Sequence, residues 1–148
     1  MGVFRKVDFA RIRAEDLDEA FDVNVKAAVL ASQAAAEGMR RRGEGAIVNV
    51  ASLGGLVPWR AYLPYCASKA ALVMATKCLA LALAPEIRVN AVAPGILDEP
   101  GAPGSLEAKI PLRRFGKTAE VVEAVLYLLG ATYTTGEVLC LDGGRALS

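Results

Sequence analysis

The chain has 148 residues, 54% hydrophobic and 22% charged, with a mean hydropathy of +0.36; this fits one compact apolar-cored domain over residues 1–148 and excludes a disordered or fibrous chain. With 17 Lys+Arg against 16 Asp+Glu the net charge is +1, so neither a basic nucleic-acid-binding surface nor an acidic tail is indicated, and the expected partners are small molecules or other protein. The absence of His removes Ser-His-Asp and Cys-His nucleophile systems and His-rich zinc sites, which leaves acid/base chemistry to Tyr, Lys or carboxylates and gives no expectation of a metal site.

The chain opens with a basic, irregular segment from Met1 to Arg13. Glu15 and Asp16 then start a long helical pattern, acids placed against the positive end of the helix dipole, that runs to about Arg42. Leu17, Phe21, Val25, Ala28, Val29 and Ser32 recur at three and four, and Ala27 to Ala36 is alanine-rich, a slim surface for another helix. Arg40, Arg41 and Arg42 read as a solvated end that compensates the dipole. Gly43 and Gly45 stop this helix, and Ala46 to Val50 is a nearly continuous apolar run that suits a strand buried on both faces of a parallel sheet.

A loop from Ser52 to Ala61 holds Gly54, Gly55 and Pro58, and a second long helix runs from about Tyr62 until Pro85 terminates it. Its most apolar part, Ala70 to Ala84, is broken by Thr76 and Lys77 and is too short to span a bilayer, so it reads as a buried helix and no membrane role is expected. Ile87 to Val92 is a second strand ending at Pro94 and Gly95. Ile96 to Gly104 is a Gly/Pro-rich loop and candidate lid, followed by a short helix over Leu106 to Ile110. Thr118 caps a helix to Leu129 with Gly130 at its end, and Glu137 to Leu141 forms a third strand closed by Asp142, Gly143 and Gly144. The three cysteines, Cys66, Cys78 and Cys140, are odd in number and not spaced as ligands, and no charged leader precedes an apolar stretch, so a reducing cytoplasm is the expectation.

Helix and strand alternate along the chain, which implies parallel strands joined by right-handed crossovers and an α/β layered architecture. In such sheets a site forms beyond the carboxyl ends of the strands, so Ser52 and the Pro94-Gly95 turn should face one crevice. Tyr65 and Lys69, four apart on a helix, share one face; a nearby ammonium favours the phenolate and brings the phenol toward use as an acid/base. Ser52 would then supply a hydroxyl to hold a substrate oxygen. Leu53, Leu56, Val57 and Trp59 after Ser52, with the Ile96 to Gly104 loop, suggest a moderately apolar or flat ring-bearing substrate.

Ser52 at a strand end, Tyr65-Cys66-Ala67-Ser68-Lys69 opening a helix thirteen residues later, and the run Arg88 to Gly95 together resemble the short-chain dehydrogenase/reductase family. The resemblance extends from Asp22-Val23-Asn24-Val25 through Ile47 to Ser52 and on to Leu141-Asp142-Gly143-Gly144. It implies a Rossmann-like parallel sheet with flanking helices, here the C-terminal catalytic half with about three strands. It further implies an oxidoreductase that passes hydride between NAD or NADP and a carbonyl, alcohol or imine of a small molecule. By the same resemblance Tyr65 is the general acid/base, Ser52 binds the substrate oxygen, and Lys69 lowers the tyrosine pKa and hydrogen-bonds the nicotinamide ribose. Asn24 organises a water-linked proton path, and Pro94, Gly95 and the backbone of Leu97 hold the nicotinamide carboxamide. The Ala-rich helix and the helix after Tyr65 resemble the family's oligomer-forming helices, which implies a homo-oligomer.

Taken singly, each residue has a plainer reading: Asn24 as a mid-helix polar group, Ser52 as a turn, Tyr65 as a core aromatic, Lys69 as an exposed charge, Cys66 as a small packing residue. The sequence also departs from the family. It has no T-G-x-x-x-G-x-G turn, no selector for the adenosine ribose and no N-N-A-G, and Glu99 stands where a Thr commonly touches the cofactor phosphates. The stretch Ala82 to Asn90 and the ending Asp142 to Leu147 look like the pteridine reductase branch, which usually has Asp where Ser52 stands, so a carbonyl reductase is the broader expectation. The alternative is a non-catalytic fragment or interaction module that uses the alanine-rich helix and the unpaired edge of the Ala46 to Val50 strand to bind a partner chain. For an enzyme of this type, the 148-residue chain by itself is expected to self-associate over its apolar edge, bind cofactor weakly and turn over little although its catalytic residues are intact, since only contacts to the nicotinamide end remain.

Overall fold

The computed structural model describes residues 2–99 and 104–148. Helix α1, Ala14–Phe21, passes through one π turn at Asp22–Lys26 into helix α2, Ala27–Arg42; strand β1 is Gly45–Val50. Helix α3 is Leu63–Leu83, strand β2 Ile87–Pro94, helix α4 Thr118–Gly130 and strand β3 Val138–Leu141. The three strands pair in parallel in the order β1-β2-β3, so β2 is central. This is the α/β, Rossmann-like architecture with flanking helices that the alternation of elements implied.

Side-chain alternation along β2 divides the layers. Ile87 and Val89 pack with Ala36 of α2 and Ala80 and Leu83 of α3 on one face, where Ala91 joins Ala51 and Val73. On the other face Val92 packs with Ala124 and Leu128 of α4, supported by Val48, Leu139 and Leu141. Arg88 points to the α4 face and donates to Leu128 O (3.0 Å), Ala131 O (2.7 Å) and Leu129 O (2.8 Å), closing the carbonyl end of that helix with a cation. Asn90 on the same face donates to Thr134 O at 2.8 Å and accepts from Glu137 N at 3.0 Å, which ties the connection before β3.

Several expectations change. The first helix is not regular throughout: the π turn adds a residue and brings Asn24 inward, where its amide finds tertiary partners. Strand β1 is not buried on both faces. It pairs only with β2 among the described residues, Ala46 to Val48 are half-buried and Val50 is 54% exposed. Lys117, rather than Thr118, is the N-cap of α4, because the Glu120 carboxylate reaches back to accept from Lys117 N at 2.7 Å. The short helix after the loop is a 3-10 turn over Gly104–Lys109, and Pro100 to Pro103 of the candidate lid lie outside the described residues. Arg40 is not simply solvated, since it donates to Ala82 O at the end of α3 at 3.2 Å.

Helix α3 has the extent expected of the second long helix, but with mean hydropathy 1.5 over 18 of its 21 residues it is, by length and composition, long and apolar enough to cross a membrane, unlike the shorter Ala70 to Ala84 run taken alone. Its buried side, from Pro64, Ser68 and Lys69 through Leu72 and Thr76 to Leu83, instead lies against the sheet and its neighbours. Thr76 accepts from Asn49 of β1 at 2.9 Å, a buried polar pairing that a lipid-facing helix would not make.

Candidate active site

Parallel register brings the carboxyl ends of β1 and β2 together: Val50 pairs with Val92, and Ala51 N donates to Val92 O at 2.8 Å. Ser52 follows at once, buried, its Oγ accepting from Gly54 N at 3.1 Å to start a 3-10 turn over Leu53–Gly55. Close packing then needs two glycines. A Cβ on Gly55 would stand 2.8 Å from the carbonyl carbon and oxygen of Lys69, and one on Gly54 would meet the Tyr65 ring at 3.1 Å and the Trp59 ring at 3.2 Å. The turn carrying Ser52 thus lies directly on the helix face carrying Tyr65 and Lys69.

Ser52, Tyr65 and Lys69 converge as the sequence spacing indicated, with one difference in the electrostatics. Burial raises the phenol pKa above the usual tyrosine value, outweighing the Ser52 hydroxyl, which favours the ionised form, and Cys66 adds to the rise. The expected lowering by Lys69 is not what this arrangement produces. Lys69, only 7% exposed, donates from Nζ to Val50 O at 2.9 Å, and burial lowers its own pKa.

Asn24 sits below Tyr65. Its Nδ2 donates to Ser68 Oγ at 2.9 Å, and Ser68 Oγ donates to Tyr65 O at 2.8 Å, fixing the first turn of α3. The same amide exchanges two hydrogen bonds with the Val3 backbone, at 3.1 and 3.2 Å. Gly2 lies between Asn24 and Lys69, a Cβ there meeting Asn24 Oδ1 at 2.9 Å and Lys69 Nζ at 3.8 Å.

Pro94 ends β2 opposite Leu141, and Gly95 allows close approach to β3, since a Cβ would lie 2.9 Å from Asp142 Cα. Leu97 bridges to Gly116, with Gly116 N bonded to Ile96 O at 3.0 Å and Asp98 N to Gly116 O at 2.8 Å. A cavity of about 460 Å³ lies beyond Leu97, lined by Val121, Cys140 and Asp142 among others, and includes neither Ser52 nor Tyr65. No group of three or more metal-ligating side chains occurs among the described residues.

Three features escaped the sequence reading: the ring of Phe4, which gathers with Trp59, Tyr62 and Tyr65; Ser68, which joins Asn24 to the helix; and the tight Gly54-Gly55 seat. The Gly54-Gly55 pair, one residue beyond Ser52, is the signal that marks this close backbone approach.

The arrangement defines a doubly wound α/β sheet with Ser52, Tyr65 and Lys69 gathered at the carboxyl ends of its strands. The family described as enoyl-(acyl carrier protein) reductase matches residues 1–146, and the chain belongs to it, within the short-chain dehydrogenases/reductases. L-xylulose reductase of Caenorhabditis elegans is 36% identical over 97% of this chain and 62% of its own length. The crystal structure of acetoin dehydrogenase from Enterobacter cloacae is 41% identical, with a TM-score of 0.92, over 99% of this chain and 61% of that one. A gluconate 5-dehydrogenase from Burkholderia cenocepacia, solved with NADP and tartrate, is 26% identical with a TM-score of 0.92 over 100% of this chain and 63% of that one. The chain therefore spans less than two thirds of the length of these relatives.

Proposed function

We propose that the protein is an NAD- or NADP-dependent oxidoreductase of short-chain dehydrogenase/reductase type, acting on a small carbonyl, alcohol or imine substrate. The observation that carries this reading is the seating of Ser52 on the Tyr65–Lys69 face at the carboxyl ends of β1 and β2. When bound, the nicotinamide cofactor supplies or accepts the hydride. Ser52 Oγ holds the substrate oxygen, and Tyr65 donates its phenolic proton to that oxygen in reduction and takes it back in oxidation. Burial keeps the phenol protonated at neutral pH, so it is ready as the donor in the reducing direction.

The residues present fit the nicotinamide end of the cofactor. The Lys69 bond to Val50 O uses one of three ammonium donors, and the others would meet the ribose hydroxyls. Pro94, Gly95 and the Leu97 backbone would hold the carboxamide, and Asn24 would order the water path through which Tyr65 regains its proton. Residues 1–148 form a single domain, the C-terminal catalytic half of a cytoplasmic enzyme; its assembly as a homo-oligomer is supported by the exposed apolar side chains Leu30 of α2 and Met74 and Leu81 of α3.

The test is oxidation of NADPH or NADH with dihydropteridines, quinones and simple ketones, using protein expressed with whatever in-frame sequence precedes Met1. Tyr65→Phe is expected to lower the rate by about a hundredfold or more; full activity in that variant refutes the role. The exposed Val50 on the β1 edge favours a second reading, a module that binds a partner chain there. An in-frame T-G-x-x-x-G-x-G upstream of Met1 would count against it.

A further inference from the structure

Proton transfer leaves the rings beside Tyr65 unexplained. Phe4 lies on residues 3–7, a strap without helix or strand that is tied at both ends. Val3 is bonded to the Asn24 amide, and Val7 N donates to Ala61 O at 2.8 Å. Between the ties the Arg5 guanidinium meets Asp16 at 3.4 Å and Glu19 at 3.1 Å, anchoring the strap to α1. Phe4 is thereby held with its ring stacked on Tyr62, centroids 4.6 Å apart and planes at 7°. It also stands edgewise to Tyr65 at 4.8 Å and to Trp59 at 6.1 Å. Despite three aromatic neighbours Phe4 stays 57% exposed, so much of its ring is open beside the phenol.

We propose that Phe4 is a specificity-determining residue, forming with Trp59 and Tyr62 a ring wall that selects substrates whose carbonyl is attached to or conjugated with a flat ring. The inference rests on the roles of Ser52 and Tyr65 given above. An oxygen at the Tyr65 hydroxyl places the body of a ring-bearing substrate beside Phe4, where aromatic groups gain from offset or edge-to-face contact. A small aliphatic carbonyl reaches the same hydroxyl and leaves Phe4 untouched.

Trp59 is the single tryptophan, so its indole N–H resonance reports the wall without interference. The chain is titrated with 1-tetralone and with diacetyl, with and without NADPH, and NADPH oxidation is followed in parallel samples. 1-Tetralone should move the Trp59 resonance saturably, and Phe4→Ala should weaken that binding about three- to tenfold while leaving diacetyl unchanged. Phe4→Leu, which keeps bulk without a ring, should behave like Phe4→Ala and separates ring recognition from packing. Absence of saturable 1-tetralone binding by the wild type, equal affinity in all three proteins, or equal loss for both ketones overturns the proposal. Phe4-dependent binding by this chain supports the wall, and absence of NADPH oxidation also from protein expressed with the in-frame sequence that precedes Met1 refutes the oxidoreductase reading. NADPH oxidation that is indifferent to ring and variant refutes the wall and leaves the oxidoreductase reading standing.

Discussion

Replacing Gly55 with Ala tests the joint on which the site depends. The added Cβ would meet the Lys69 carbonyl carbon and oxygen at 2.8 Å and Ala70 N at 3.1 Å, whereas ordinary contact starts at 3.4 Å. These are backbone atoms inside α3 and cannot rotate away, so the 3-10 turn must retreat by about 0.6 Å, taking the buried Leu53 and Ser52 with it. Overpacking of this kind costs about 1–3 kcal/mol, or roughly 3–10 °C in a chain of this size. Because misplacement by about 1 Å can cost a hundredfold in rate, the same retreat should lower turnover by about tenfold. Gly130→Ala is the control: nothing lies within 4 Å of its Cβ, and it should stabilise by up to about 1 kcal/mol. Urea denaturation followed by Trp59 emission and by helical circular dichroism reads both variants. A Gly55→Ala protein as stable as wild type would show that the turn does not rest on the Lys69 backbone.

Two further outcomes concern pH. Spectrophotometric titration should show a tyrosine component above the ordinary value of 10.0 that is missing in Tyr65→Phe; since the folded state holds that proton longer than the unfolded one, its contribution to stability should fall as pH rises past 10.0. Glu120, bonded to Arg114 and to Lys117 N, has its carboxyl pulled down to about 2. Its contribution is present above the unfolded value of 4.5 and lost as pH falls toward about 2, so Glu120→Gln should flatten the acid limb of a stability curve over that window.

Much of the site was legible because it is written in short-range pattern. A mostly apolar strand followed closely by Ser52, a Tyr and Lys one helical turn apart, and a strand stopped by Pro94-Gly95 each depend on neighbours within a few positions. What escaped depends on distant partners. The π turn at Asp22–Lys26 has no local signature; it accompanies the bonds from Asn24 to Ser68 and Val3, 44 and 21 positions away. Phe4 lies in a segment without periodicity, and only the ties to Asn24 and Ala61 bring it to the phenol. The direction of the Tyr65 shift was missed for a related reason: helical spacing places Lys69 on the same face as the phenol but does not reveal how far the rest of the fold buries that phenol.

The buried polar groups beneath the site show what this arrangement costs. Asn24, Ser68 and Lys69 are all removed from water, yet no fully buried side-chain nitrogen or oxygen lacks a partner among the described residues. Asn24 and Ser68 recover the loss by pairing with each other and with backbone, which stiffens the first turn of α3 around Tyr65. Lys69 does not recover it as fully, since burial depresses its pKa and a single carbonyl accepts from its ammonium. An apolar side chain of similar length would fill that space at lower free energy. A buried ammonium is therefore poorly explained by stability, and well explained by a group that must meet a polar ligand on the face it shares with Tyr65.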